Sequence, residues 1–221
     1  MENSRVIAIL ISGRGSNMRT LVEEARAGRL GGEVGLVISS KTQAGGLEFA
    51  AAAGIETLVM PHDAHASREA YDEALVGELR KRRVSLVCLA GFMRLVSGVL
   101  CDAFPQCLLN IHPSLLPAFP GQDAQRQALE HGVKVTGATV HFVTPELDAG
   151  PIVLQAPVPV RGDDTVETLS ARLLATEHLL YPAAVRLLLT TRWRVDGRRV
   201  VFEPSAGLAA LARDLWKTTA W

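Results

Sequence analysis

The sequence predicts an α/β fold: a doubly wound, mostly parallel sheet with an antiparallel C-terminal extension. Three observations predict it. Continuous apolar runs, such as residues 6–11 and 34–38, suit strands buried on both faces. These runs alternate with amphipathic stretches of helical length, the pattern of parallel strands joined by right-handed crossovers. Past about residue 132 the alternation stops, and two β-rich segments, 133–143 and 152–160, flank a turn-rich stretch, which suits antiparallel pairing.

The elements follow in order. Residues 6–11 form the first strand, 12–17 a Gly-Ser-Asn turn, and 18–27 a helix. The second strand is 34–38. A helix at 45–53 ends at Gly54, which suits a left-handed C-terminal cap. A short third strand at 57–60 precedes a long helix to about Arg82, with Ser67 as its N-cap. Strands at 86–90 and 108–111 complete the parallel part. Residues 165–189 read as one long helix bent at Pro182. Asp196-Gly197 centres a hairpin over 193–202, because Asp-Gly favours a type I′ turn. A closing helix is expected at 206–216. No repeat or low-complexity linker interrupts the chain, so 1–221 reads as a single domain.

Composition narrows the function. Lys plus Arg and Asp plus Glu both total 23, so no whole-chain positive field favours nucleic acid. The run Arg80-Lys81-Arg82-Arg83 ends a helical pattern, where cations suit the helix C-terminus, and reads as a solvated face. No apolar stretch approaches the ~18 residues needed to cross a membrane. Cysteines 88, 101 and 107 lack CxxC spacing, which argues against a disulfide framework or zinc knuckle; Cys88 and Cys107 read as core. His62-Asp63-Ala-His65 is a weak metal candidate, and no metal is expected. The expected location is the cytoplasm, and monomer and homodimer both stay open.

Three polar clusters carry chemistry. Asn110-Ile111-His112 ends an apolar strand, and alternate strand residues share a face, so both side chains can converge on one substrate atom. Asn supplies a neutral donor, and His can donate or shuttle a proton. Pro113 stops the strand. A strand end with a structural Asn and a capping His is the plain alternative. Asp148, in a loop after a β-rich segment, is a candidate partner for His112, since a carboxylate orients an imidazole; an Asx turn before Gly150 competes with that role. His141, inside a strand pattern, reads as structural. The loop Gly13-Arg14-Gly15-Ser16-Asn17 opens a helix. There, glycines admit an anion close to the backbone and free N–H groups face it. It departs from a dinucleotide fingerprint at Met18, which replaces the third glycine, and no acid follows the second strand. It therefore reads as a cradle for one terminal phosphate, or else as a tight turn with Ser16 or Asn17 as N-cap. Gly91-Phe92-Met93-Arg94-Leu95-Val96 follows the fourth strand, where open α/β sheets bind ligands, and its apolar side chains suit a flat ring.

Taken together these motifs resemble a known family. Ile-Ser-Gly-Arg-Gly-Ser-Asn (11–17), Ser-Arg-Glu-Ala-Tyr-Asp (67–72), Leu-Ala-Gly-Phe-Met-Arg (89–94), Leu-Asn-Ile-His-Pro-Ser-Leu-Leu-Pro (109–117), Val-His-Phe-Val-Thr (140–144) and Glu-Leu-Asp-Ala-Gly-Pro-Ile (146–152) occur in that order. The chain resembles the phosphoribosylglycinamide formyltransferases, folate-dependent enzymes of purine synthesis, from about residue 6 to Pro182. The resemblance implies two halves, a phosphate-binding 1–110 and a folate-binding and catalytic 111–221 with the hairpin and last helix. It implies Asn110, His112 and Asp148 as catalytic residues. Gly15, Ser16 and Asn17 would hold the substrate phosphate, and Glu177 the ribose. Arg68, Met93, Arg94, Leu95, Val96, Val143, Thr144 and Leu147 would hold the co-substrate 10-formyltetrahydrofolate, and the partners are small molecules only. A 10-formyltetrahydrofolate hydrolase and a non-catalytic phosphate or folate module are the alternatives. One departure stands out: in Pro120-Gly121-Gln122-Asp123-Ala124-Gln125-Arg126, Asp123 stands where that family carries a histidine. Such a carboxylate would either repel an anionic substrate or cap a helix over 124–131.

Overall fold

A computed structural model describes residues 5–204; the closing helix expected at 206–216 lies outside them. The described residues divide into two compact units: 5–110 with 142–145, and 111–141 with 146–204.

The first unit is an open α/β sheet. Its strands are β1 (Val6–Ile11), β2 (Glu33–Ser39), β3 (Glu56–Val59), β4 (Val84–Leu89) and the start of β5 (Leu108–His112). They lie in the order β3-β2-β1-β4-β5, with parallel pairing throughout. Helices α1 (Ser16–Arg26), α2 (Gly46–Ala52), α3 (Arg68–Lys81) and α4 (Gly98–Ala103) connect them, with a 3-10 turn at His62–Ala64. The short α4 was not expected from sequence; at six residues its apolar spacing is too brief to register. The strand order reverses between β2 and β4 around β1, which makes the C-terminal end of β1 the switch point where such sheets bind ligands.

Local signals explain the connections. The Ser67 hydroxyl accepts the Ala70 amide at 3.1 Å and caps α3. Gly54, at φ +70°, closes α2 in the left-handed form expected of it, and Ile55 N donates to Ala50 O at 3.0 Å. Ala8, Leu10, Leu36 and Ile38 are fully buried and pack with Tyr71, Leu75 and Leu79 of α3. Each of these leucine and isoleucine side chains contributes about 1.5–3 kcal/mol on burial. Cys88 is in the core as expected, whereas Cys107 is only partly buried against it. The basic run is not simply solvated. Arg82 bridges Glu56 and Glu78, and these two carboxylates hold its guanidinium pKa above the usual arginine range.

The second unit contains α5 (Ala124–Glu130), β6 (Val135–Phe142), β7 (Ile152–Pro159), α6 (Val166–Thr190), β8 (Trp193–Asp196) and β9 (Arg199–Phe202). Its strand order is β6-β7-β9-β8, with β6–β7 and β8–β9 antiparallel. Leu169 and Leu173 of α6 are fully buried and pack with Val158 of β7. Thr165 and Thr168 form a reciprocal capping box at the start of α6, and the helix continues through Pro182. The hairpin differs from expectation in detail. Asp196 pairs with Arg199, so the two turn residues are Gly197 and Arg198. Gly197, at φ +61°, takes the first central position, the place where a type II′ turn needs glycine.

No helix among the described residues is long and apolar enough to cross a membrane.

Candidate active site

In the first unit, two loops meet the switch point. Ile11 ends β1, and Gly15, at φ +71°, serves as the N-cap of α1. Ser16 and Asn17 are the first helical residues, so neither caps the helix as the tight-turn alternative required. A glycine cap has no side chain to satisfy the leading amides, so the first turn presents them for an anion. Glycine is required at 15: its backbone is left-handed, and a Cβ would stand 2.9 Å from Met18 Cε and 3.2 Å from Gly46 Cα. The loop is braced by Gly46 N, which donates to Gly13 O at 3.2 Å. Asn17 is buried and Ser16 half-buried.

The second loop, 91–97, follows β4. Met93 and Leu95 are 73% and 56% exposed, an apolar face open to a flat ligand. Val96 turns the other way, 7% exposed in the core with Leu100 and Phe104. Arg94 lies over the Tyr71 ring at 4.6 Å, and burial pushes the Tyr71 phenol up to about 12. The buried Asp72 carboxylate accepts the Ser97 amide at 2.6 Å and ends the loop. Arg68 is half-exposed at the start of α3, 3.4 Å from Glu69. Val143 is tied to β5 through its amide to Leu108 O, 2.9 Å, with Thr144 half-buried beside it.

In the second unit the acid–base cluster assembles. His112 Nδ1 lies 3.5 Å from Asp148 Oδ2, and both side chains are more than nine-tenths buried. His112 Nε2 donates to the Phe119 carbonyl at 2.8 Å; a carbonyl only accepts, so the proton is on the nitrogen. Asp148 Oδ2 also accepts the Gly121 amide at 2.8 Å. The other carboxylate oxygen faces His141 Nε2 at 3.6 Å. Asp148 therefore sits between two imidazoles, and His141 of β6, read from sequence as structural, belongs to the cluster. The signal for it was slight: Thr139 and His141 stand at alternate positions of a strand that is almost wholly buried.

Sequence reasoning missed the backbone partners, Phe119 O and Gly121 N, which no side-chain pattern reveals. It also missed the strain. Phe119, Asp123 and Asp148 all have positive φ, at 54°, 56° and 49°, and such backbone clusters at functional sites. Thr139 anchors the strand exit: its hydroxyl donates to Ser114 O at 2.6 Å and accepts the Leu116 amide at 3.1 Å. Asp123 occupies the N-cap position of α5, yet its side chain makes no capping hydrogen bond, so the capping role expected of it is not realised. Leu147 is 53% exposed, 3.7 Å from where a Cβ on Gly121 would stand. Glu177 is buried on α6. Asn110 is half-buried on β5, two residues before His112.

Elsewhere in the first unit, a groove of about 460 Å³ runs between α3 and α4, lined by Val76, Val99, Ala103, Glu73, Arg80 and Asp102. It contains none of the residues above. Imidazole–carboxylate geometry can carry proton transfer and this groove offers none, so the cluster is the stronger candidate site.

A glycine-capped loop at a sheet switch point and a buried imidazole–carboxylate cluster suit an α/β enzyme. The sequence profile of the formyl transferase family matches residues 5–185, and the chain belongs to that family of folate-dependent enzymes. It is 44% identical over 202 residues to the phosphoribosylglycinamide formyltransferase of Escherichia coli (strain K12), covering 91% of this chain and 92% of that protein. It is 47% identical over 182 residues to the human trifunctional purine biosynthetic protein adenosine-3, covering 82% of this chain but only 18% of that protein. The chain thus spans less than a fifth of the trifunctional animal relatives. Among solved structures, glycinamide ribonucleotide transformylase 1 from Symbiobacterium toebii superposes with a TM-score of 0.90 at 53% identity, covering 92% of this chain and 96% of that one.

Proposed function

We propose that this chain transfers the formyl group of 10-formyltetrahydrofolate to the amine of 5'-phosphoribosylglycinamide, a step of purine biosynthesis. The observation that carries the reading is the glycine-capped loop of α1, suited to a terminal phosphate, in a chain of the formyl transferase family. The names of the E. coli and Symbiobacterium relatives support it.

The roles follow from chemistry. The substrate amine attacks the formyl carbon, a C–N bond forms, and the formyl oxygen becomes an oxyanion. Asn110 donates to that oxyanion, and His112 does so by exchanging its Phe119 carbonyl partner for it. Asp148 orients the His112 ring. The bond from the formyl carbon to the folate nitrogen then breaks, and the proton lost by the amine passes to that nitrogen, releasing tetrahydrofolate. Gly15, Ser16 and Asn17 hold the phosphate, and Glu177 accepts from the ribose hydroxyls. Met93, Leu95 and Leu147 provide apolar contact to the folate, Arg94 and Val96 shape its loop, and Arg68, Val143 and Thr144 complete that subsite. A cytoplasmic location is part of the same reading.

The test is turnover of 10-formyltetrahydrofolate with and without 5'-phosphoribosylglycinamide. Formylated amine should appear in step with tetrahydrofolate. Equal consumption of the folate without the amine would replace this reading with a hydrolase.

A further inference from the structure

The Ser12 hydroxyl has no part in the mechanism above, yet it stands at the switch point of the first unit. Ser12 is the residue after β1 and is 6% exposed. Its amide donates to Gly91 O at 3.1 Å, and its Oγ accepts the Met93 amide at 3.0 Å. The same Oγ is 2.7 Å from the Ser40 hydroxyl, just past β2. A serine hydroxyl has one proton and two lone pairs, so it can satisfy both contacts at once. Three adjacent strand ends are thereby joined through one buried side chain. One residue further along the chain begins the Gly13–Asn17 loop. On the other side, the Gly91–Met93 backbone leads into the exposed Met93 and Leu95 face.

We infer that Ser12 is a positioning residue that couples the two loops, so that occupation of the phosphate loop strengthens binding at the 91–96 loop and the reverse. The inference rests on the functional reading above, which gives these loops their ligands. The physical basis is shared ordering. An anion held by the amides of residues 15–17 immobilises the backbone that begins at Ser12. The 91–93 segment is bonded to Ser12 twice, once through the Ser12 amide and once through its hydroxyl, so it is ordered by the same event, and a ligand arriving there meets a loop already in place. Such coupling is reciprocal by linkage. With the side-chain bond lost, the Met93 amide has no acceptor and only the Ser12 amide to Gly91 O bond remains, so the coupling weakens. The coupling carried by one net hydrogen bond is roughly threefold to tenfold in affinity.

The experiment measures tetrahydrofolate binding with and without saturating 5'-phosphoribosylglycinamide. No formyl group is present, so no reaction intervenes. In the unaltered enzyme the tetrahydrofolate Kd should fall about threefold to tenfold when the amine is bound. In Ser12→Ala the ratio of the two Kd values should fall by at least half, toward one. Ser16→Ala should weaken the amine alone and keep the ratio at saturation. Hydrogen exchange at the Met93 amide gives a second reading: it should slow on amine binding in the unaltered enzyme and markedly less in Ser12→Ala. An unchanged ratio in Ser12→Ala, or a ratio of one in the unaltered enzyme, would overturn the coupling and leave the function standing. Failure of the unaltered enzyme to bind either ligand would overturn both. Misfolding of Ser12→Ala would be seen in its melt, and the unaltered enzyme's Met93 exchange then decides.

Discussion

Asp148 is the residue on which the acid–base reading turns. Its carboxylate has one oxygen toward His112 and Gly121 N and the other toward His141. Its left-handed backbone is one that Asp and Asn tolerate better than most residues, so Asp148→Asn tests charge without adding strain. We expect Asp148→Asn and His112→Ala each to lower kcat by ~10²-fold or more, measured in steady-state formyl transfer, with Asn110→Ala similar. Near-normal turnover of His112→Ala would remove the mechanism. Ser16→Ala should raise KM for 5'-phosphoribosylglycinamide and leave the folate KM nearly unchanged, because the phosphate is remote from the reacting amine. Asp123 offers a sharper case. Its side chain makes no capping bond, so Asp123→His should leave the melting temperature unaltered, and His also tolerates its φ of 56°. If the carboxylate repels an anionic substrate, the same variant raises kcat/KM; an unchanged kcat/KM takes Asp123 out of the site.

At the scale of elements, α6 and β6 hold the second unit in register. Asp164, just before α6, is gripped by Arg172 one side and by the Arg161 amide and Thr168 hydroxyl on the other. The Arg172 guanidinium holds its carboxyl well below the usual carboxylate range. A depressed folded-state pKa means stability that is present above the unfolded value, near 4, and lost as pH falls below it toward the folded value. Asp164→Asn should therefore cost about 1–2 kcal/mol at pH 7, with a drop in Tm of roughly 2–8 °C. The gap from the parent should shrink in melts taken below pH ~4. Gly137 of β6 tests packing instead. A Cβ there would lie 2.2 Å from the Ala156 carbonyl and 2.6 Å from Leu115 Cδ2. Neither the β7 backbone nor the segment after His112 can yield freely, so Gly137→Ala should lose about 1–3 kcal/mol in denaturant unfolding.

For the molecule as a whole, ligand binding should appear as stability. A ligand that binds only the folded state adds about 2.7 kcal/mol at a hundred times its Kd. Saturating 5'-phosphoribosylglycinamide should raise Tm by roughly 5–10 °C, and its dephosphorylated nucleoside far less. Equal shifts from both would mean that the phosphate cradle contributes nothing. The balanced charge of 23 basic and 23 acidic residues gives no net field to steer these anionic ligands, so the proposed reading expects their binding to rest on local contacts.

The sequence by itself determined the parallel strands, because short apolar runs such as 6–11 and 86–90 alternate with stretches of helical length. It also placed the glycine turn before α1 and the Ser67 cap, since both act within a few residues. The motif order pointed to the family through the same local stretches. Only the tertiary structure decided what depends on contacts distant along the chain. It turned Val96 into the core, left Asp123 without a capping bond, and moved the hairpin turn to Gly197-Arg198. It brought His141, Phe119 O and Gly121 N to the His112–Asp148 pair, and Ser12 to the Met93 amide 81 residues away. Backbone carbonyls and amides carry no sequence signature. A buried hydroxyl such as that of Ser12 looks like any turn serine until the neighbouring strand ends are packed against it.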